Sequence, residues 1–167
     1  AGAPVVAQEQ WQDVAPAKAL FEFTDAKRIL LKQRESNQAT LERSSWELED
    51  GSVVHFHVTW ADAMWVYTDQ GESLEAFFSR VFPQGELIKV GEPFVSRESG
   101  TQGDAQWLRF RLRGEECVLL QQYGWCDCDI DGGVAEIRGN RLAYGTYCGA
   151  TALGDPEIRR LFGRIDF

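Results

Sequence analysis

Alternation of apolar and polar side chains is clearest between residues 44 and 60. Trp46 and Leu48 alternate with polar neighbours, Glu49-Asp50-Gly51-Ser52 has the composition of a tight turn, and Val54, Phe56, Val58 and Trp60 alternate on the return. A period of two puts such residues on one side of a sheet, so the stretch reads as a β-hairpin. The period then changes. Leu74, Phe77, Phe78, Val81 and Phe82 recur at the three-and-four spacing of one helix face, and Pro83 ends the segment. Ser73 is the natural N-cap, with Glu72 and Glu75 suited to the positive end of the helix dipole. Five large apolar groups on one stripe require a sheet to cover.

Strand-like runs follow at Leu87 to Val95, Trp107 to Leu112, Cys117 to Gln122 and Arg141 to Tyr147, with a polar loop at Arg97 to Gly103. Asp155-Pro156-Glu157 has the cap and first-turn proline of a second helix, whose buried face is Ile158, Leu161, Phe162 and Ile165, so the chain is expected to end on that docked helix. Residues 17 to 35 contain Leu20, Phe21, Phe23, Ile29, Leu30 and Leu31, enough for a strand followed by a strand or a helix. Residues 1–16, with Pro4 and Pro16 and no periodicity, read as an extended lead-in. Hairpin-linked strands interrupted by only two helices do not make repeated crossovers. The expectation is therefore one α+β domain over residues 17–167, a mostly antiparallel sheet with both helices packed on one face.

A length of 167 residues suits a single core that crosslinks reinforce rather than create. Acidic side chains outnumber basic ones 26 to 17, a net charge of −9, and no basic cluster offsets this along the chain. Nucleic acid is thus not an expected partner, and solubility is the commonest reason for such acidity. No apolar run is long enough for a membrane-spanning helix. The first residues, with Val5 and Ala7 at the spacing a signal peptidase reads, resemble the end of a secretory signal, cleavage of which would leave Gln8.

All four cysteines, Cys117, Cys126, Cys128 and Cys148, fall in the last third. Without paired Cys-x-x-Cys knuckles they point to disulfides, hence to an oxidising compartment and a stapled C-terminal third. If the strand opened by Cys117 neighbours the one ended by Cys148, their Cβ atoms come within bonding reach, which makes this the first choice of pair. Cys126 and Cys128 then remain either as structural sulfurs, in a connectivity that spacing cannot choose, or as a redox dithiol. Asp127 and Asp129 oppose thiolate formation and so oppose the redox reading.

Asp127, Asp129, Asp131 and Gly132 match the first half of a calcium loop, but Arg138 stands where a bidentate glutamate is required. An EF-hand is excluded, which leaves a looser extracellular calcium site or a solvated acidic turn. His55 and His57 project from one strand to the side opposite its apolar residues. They are either half a metal site lacking its third ligand or two sheet residues. No cofactor is otherwise expected. No Ser-His-Asp order, phosphate loop or nucleophile elbow is present, so catalysis has no support. Six tryptophans invite a binding role, and Trp65 and Trp125, which interrupt their local alternation, are the aromatic candidates.

Gly114-Glu115-Glu116-Cys117-Val118, Gly145-Thr146-Tyr147-Cys148 and the closing Ile158, Leu161 and Ile165 together resemble small exported bacterial domains of uncharacterised function. The resemblance covers the last third. It implies a Cys117–Cys148 link and an envelope location, while the segment carrying Cys126 and Cys128 departs from that two-cysteine pattern. The combined expectation is a periplasmic or secreted, non-enzymatic binding or assembly module that meets a protein or glycan through an aromatic patch or a sheet edge. The contrasting expectation is an envelope redox or metal-handling protein built on the Cys-Asp-Cys-Asp loop.

Overall fold

Turn chemistry folds neighbouring segments back on one another. The computed structural model describes residues 10–61, 67–68, 72–96, 103–124, 137–149 and 153–167. The first part runs β1 (Gln12–Asp13), a 3-10 turn at Pro16–Lys18, β2 (Glu22–Phe23), β3 (Lys27–Glu35), β4 (Ala39–Glu47), β5 (Val53–Ala61), β6 (Tyr67–Thr68) and α1 (Leu74–Val81). The second runs β7 (Glu86–Val90), β8 (Phe94–Ser96), β9 (Gly103–Leu112), β10 (Glu115–Gly124), β11 (Ile137–Gly139), β12 (Arg141–Cys148), α2 (Asp155–Phe162) and β13 (Ile165–Asp166).

Among the described residues, nine strands form one antiparallel sheet in the order β1-β3-β4-β5-β12-β10-β9-β7, with β8 also paired to β9. The β4–β5 turn forms because Gly51 takes a φ of 84° and the Asp50 carboxylate accepts the Ser52 amide at 3.0 Å. At the β9–β10 turn Arg113 and Gly114 both have positive φ, 53° and 79°, as a two-residue hairpin demands. The N-terminal and C-terminal halves meet where β5 pairs with β12, from Arg141 opposite Trp60 to Tyr147 opposite Val54.

Side-chain alternation splits the core between two faces. On the back face Phe21, Phe23, Trp46, Val54, Phe56, Val58, Trp107, Val118, Leu120 and Tyr147 pack with Ile158, Leu161 and Phe162 of α2. On the front face Leu108, Phe110, Cys117 and Leu119 pack with Leu74 and Phe78 of α1. Cys117 and Leu119 alternate with Val118 and Leu120 along β10, so the two clusters lie on opposite sides. The expectation of both helices on one face is therefore corrected. The sheet carries an apolar row on each side of β9 and β10, and one helix covers each.

Ser73 caps α1 as its sequence implies, its hydroxyl accepting the Ala76 amide at 3.1 Å. Only Leu74 and Phe78 of the stripe are buried, worth about 2 kcal/mol each or slightly more, whereas Val81 remains 42% exposed. Residues 17–35 supply β2 and β3, both strands. The run from Leu87 to Val95 is broken at Gly91, over which the Trp107 indole passes so closely that a Cβ there would meet it at 2.1 Å. Gly154, not Asp155, caps α2. The helix ends at Phe162, and Ile165 belongs to β13, opposite Phe23 of β2, so a strand rather than the helix closes the chain. Within the lead-in, Gln12 and Asp13 pair with Gln33 and Lys32 at the sheet margin.

Cys117 and Cys148 are direct cross-strand partners on β10 and β12 and form a disulfide, with Cα atoms 4.0 Å apart. Cys126 and Cys128 lie outside the described residues.

Candidate functional site

Because α1 sits over β9 and β10, the front face of β3, β4, β5 and β12 is left without a helix. An open groove of about 510 Å3 results. Its floor is Arg43 and Ser45 from β4, His55, His57 and Thr59 from β5, Tyr144 and Thr146 from β12, and Leu119 from β10. Register explains the convergence: Ser45 faces His55, Arg43 faces His57, His55 faces Thr146 and His57 faces Tyr144. One wall is Phe77, Arg80, Val81 and Phe82, and the opposite lip is Leu30 of β3. Phe77 stacks on Tyr144 with centroids 3.8 Å apart and planes 2° from parallel, which fastens that wall to the floor. Leu30 and Val81, 39% and 42% exposed, leave an apolar rim in water on both sides.

The polar groups differ in how far they are already engaged. Arg80 is held by Glu72, Nη2 to Oε2 at 2.9 Å. Ser45 Oγ and His55 Nδ1 lie 2.7 Å apart, and in the Nε2-protonated tautomer the hydroxyl donates to the ring. Arg43 stacks over Trp11, 4.1 Å from the ring centroid, while Arg34 approaches the same ring at 5.3 Å. Trp11 also meets His57 edge-on, with centroids 5.7 Å apart. Burial first, and the Arg43 and Arg34 guanidiniums second, hold the His57 imidazole below its ordinary range and keep it neutral.

This setting bears directly on the chemistry expected of the histidines. His55 and His57 do share a face, as the period of two requires. Two guanidiniums beside His57 repel a cation, and Ser45 occupies one nitrogen of His55. Among the described residues no group of three His, Cys, Asp or Glu side chains converges on one point. The Ser45–His55 pair has a hydroxyl and a base. Among the described residues no carboxylate stands behind the ring to orient that base as triads require.

Asp127, Asp129, Asp131, Trp65 and Trp125 lie outside the described residues, as does the whole Cys-Asp-Cys-Asp loop. Of the other large rings, Tyr123 and Tyr147 are core and Trp60 is half-buried beneath the Arg141 guanidinium at 3.5 Å. Trp11, placed in the lead-in by its lack of periodicity, lies against Arg43 and His57 of the groove floor, while Phe77 and Tyr144 line the groove itself. The one signal for Trp11 in the sequence is a lone large ring within the lead-in. No basic cluster stands along the sequence, but the fold brings basic side chains together. Register sets Lys32 opposite Arg43 and Arg34 opposite Leu41, which gathers three cations on one face although nine or more residues separate β3's from β4's.

Among the described residues no helix is long and apolar enough to cross a membrane. Comparison with protein-family models, with curated proteins and with solved structures returns no match, so the groove stands on its own geometry.

Proposed function

We propose that this chain is a non-enzymatic binding module of an oxidising compartment, the periplasm or the extracellular space, and that the front-face groove is where its partner sits. The observation carrying this reading is the groove's composition: exposed Leu30 and Val81 face each other across a floor of hydrogen-bonding side chains. A concave surface of a few hundred Å3 with apolar rims and a few converging polar groups is the usual form of a recognition site. The Cys117–Cys148 bond supports the compartment, since such bonds persist outside the reducing cytosol. A protein partner is favoured over a glycan because the two rims offer aliphatic surface, which buries against side chains better than against hydroxyl-rich sugars.

The test is a parallel screen of peptide and glycan arrays with the unaltered protein and with Val81→Glu. Val81 is exposed on α1, so the substitution blocks the groove without touching either core. Ligands bound by the first protein and lost with the second support the proposal. An identical set of ligands for both proteins refutes it.

A further inference from the structure

Charge pairing and register together draw attention to the Arg43 end of the groove. Lys32 faces Asp13, Arg80 faces Glu72, Lys89 and Arg109 face Asp155, and Arg111 lies between Glu86 and Glu116. Among the described residues Arg34 and Arg43 have no such pair; Arg159 and Arg164 of the α2 region have none either, but each lies over a ring of its own, Phe94 and Phe23. What sets Arg34 and Arg43 apart is that both guanidiniums share a single ring, Trp11, which also meets His57 of the groove floor. Burial first, and these two guanidiniums second, hold His57 neutral, so it can accept or donate one hydrogen bond without adding charge.

We infer that the groove takes an acidic peptide segment with an aliphatic anchor, supplied by a partner protein. This deepens the reading of the groove as the binding site and rests on it. The anchor lies between Leu30 and Val81, and a carboxylate one or two residues away reaches Arg43, with Arg34 adding field from behind. Carboxylate–guanidinium pairing supplies register, and the apolar rim supplies area. A free acyl chain fits less well. Both rims are open to water, so a chain lacking its own polar backbone would stay half-solvated. An acidic oligosaccharide would satisfy Arg43 but leave the rims uncovered.

His55 and His57 are the only histidines in the chain and both line the groove, so their ring C–H resonances report on it without background. The full chain is titrated with Ac-Asp-Leu-Glu-Phe-Asp-Leu-NH2, with its Asn/Gln counterpart, and with digalacturonate. The acidic peptide should shift both rings, the neutral one should bind about fivefold more weakly, and Arg43→Gln should erase that difference. Added salt should weaken the acidic peptide alone, a check that does not depend on how the variant folds. Equal binding of the two peptides removes the charge assignment and leaves the groove reading standing. Ring shifts with digalacturonate and none with either peptide overturn the peptide class. Silence from all three overturns this inference, while the array comparison with Val81→Glu decides the groove reading separately.

Discussion

Removing the Cys117–Cys148 bond with a Cys117→Ala/Cys148→Ala pair tests how much the covalent staple adds to a sheet that is already paired. The bond closes a loop of 31 residues. Constraining the unfolded chain to that loop is worth about 12 cal/mol/K, or roughly 3.7 kcal/mol at room temperature. Cys117 is fully buried in the front cluster beside Leu119 and Phe110, so loss of its sulfur adds a small cavity term of about 1 kcal/mol. The sum approaches half the stability of an ordinary domain. For a chain of this size it corresponds to a fall of roughly 10–20 °C in Tm. Urea unfolding of both proteins under identical non-reducing conditions, read by tryptophan fluorescence and far-UV circular dichroism, gives the difference. A loss below about 1 kcal/mol with unchanged m-value would refute the reasoning. It would mean that residual structure already confines the unfolded chain between residues 117 and 148 without the bond.

Gly145 lies opposite Phe56, and a Cβ there would come within 2.5 Å of that ring, itself wedged between Phe21 and Phe23 at 4.6 and 5.1 Å. Gly145→Ala should therefore cost about 1–3 kcal/mol by urea titration, and an unchanged midpoint would show that the ring moves freely. Glu42 is wholly buried; its Oε1 accepts the Leu20 amide and Gln33 Nε2, each at 2.9 Å, while Oε2 has no partner, and burial raises its pKa above 4.5. A raised folded pKa favours folding below the ordinary value and loses that contribution as pH climbs through the raised one. Glu42→Gln should thus gain on the unaltered protein as pH rises above about 4.5, and a pH-independent difference would sink the idea. His57 titrates in the opposite sense, its stability contribution present above about pH 6.5 and lost as pH falls toward its depressed value. Arg43→Gln should move the His57 ring titration partway back up, since the larger cause, burial, remains; no movement would show that the guanidinium does not act on it.

Local patterns were legible wherever neighbours in sequence decide the structure. The β4–β5 hairpin follows from alternation plus Asp50-Gly51, and α1 follows from its apolar spacing and Ser73. The Cys117–Cys148 partnership follows from each cysteine's place at a strand end. What misled was a helical spacing that outlasts its helix: Ile165 lies seven residues after Ile158, but the chain turns at Gly163 and Arg164, and β13 pairs with β2. Nothing local shows that the two helices take opposite faces of the sheet. β10 is buried almost throughout, so neighbouring residues feed two cores, and a continuous apolar run does not say which helix lies on which side.

The groove shows the same division. Composition and periodicity alone establish two histidines on one side of a strand, an acidic chain and a pair of cysteines able to meet. They do not bring Arg34 and Arg43 beside His57, seat Trp11 on both, or leave Leu30 and Val81 facing across bare sheet. Those juxtapositions depend on cross-strand register and on where α1 comes to rest. Apart from the β3–β4 hairpin, both are decided by contacts between segments dozens of residues apart, whose free energies no local window of the chain contains.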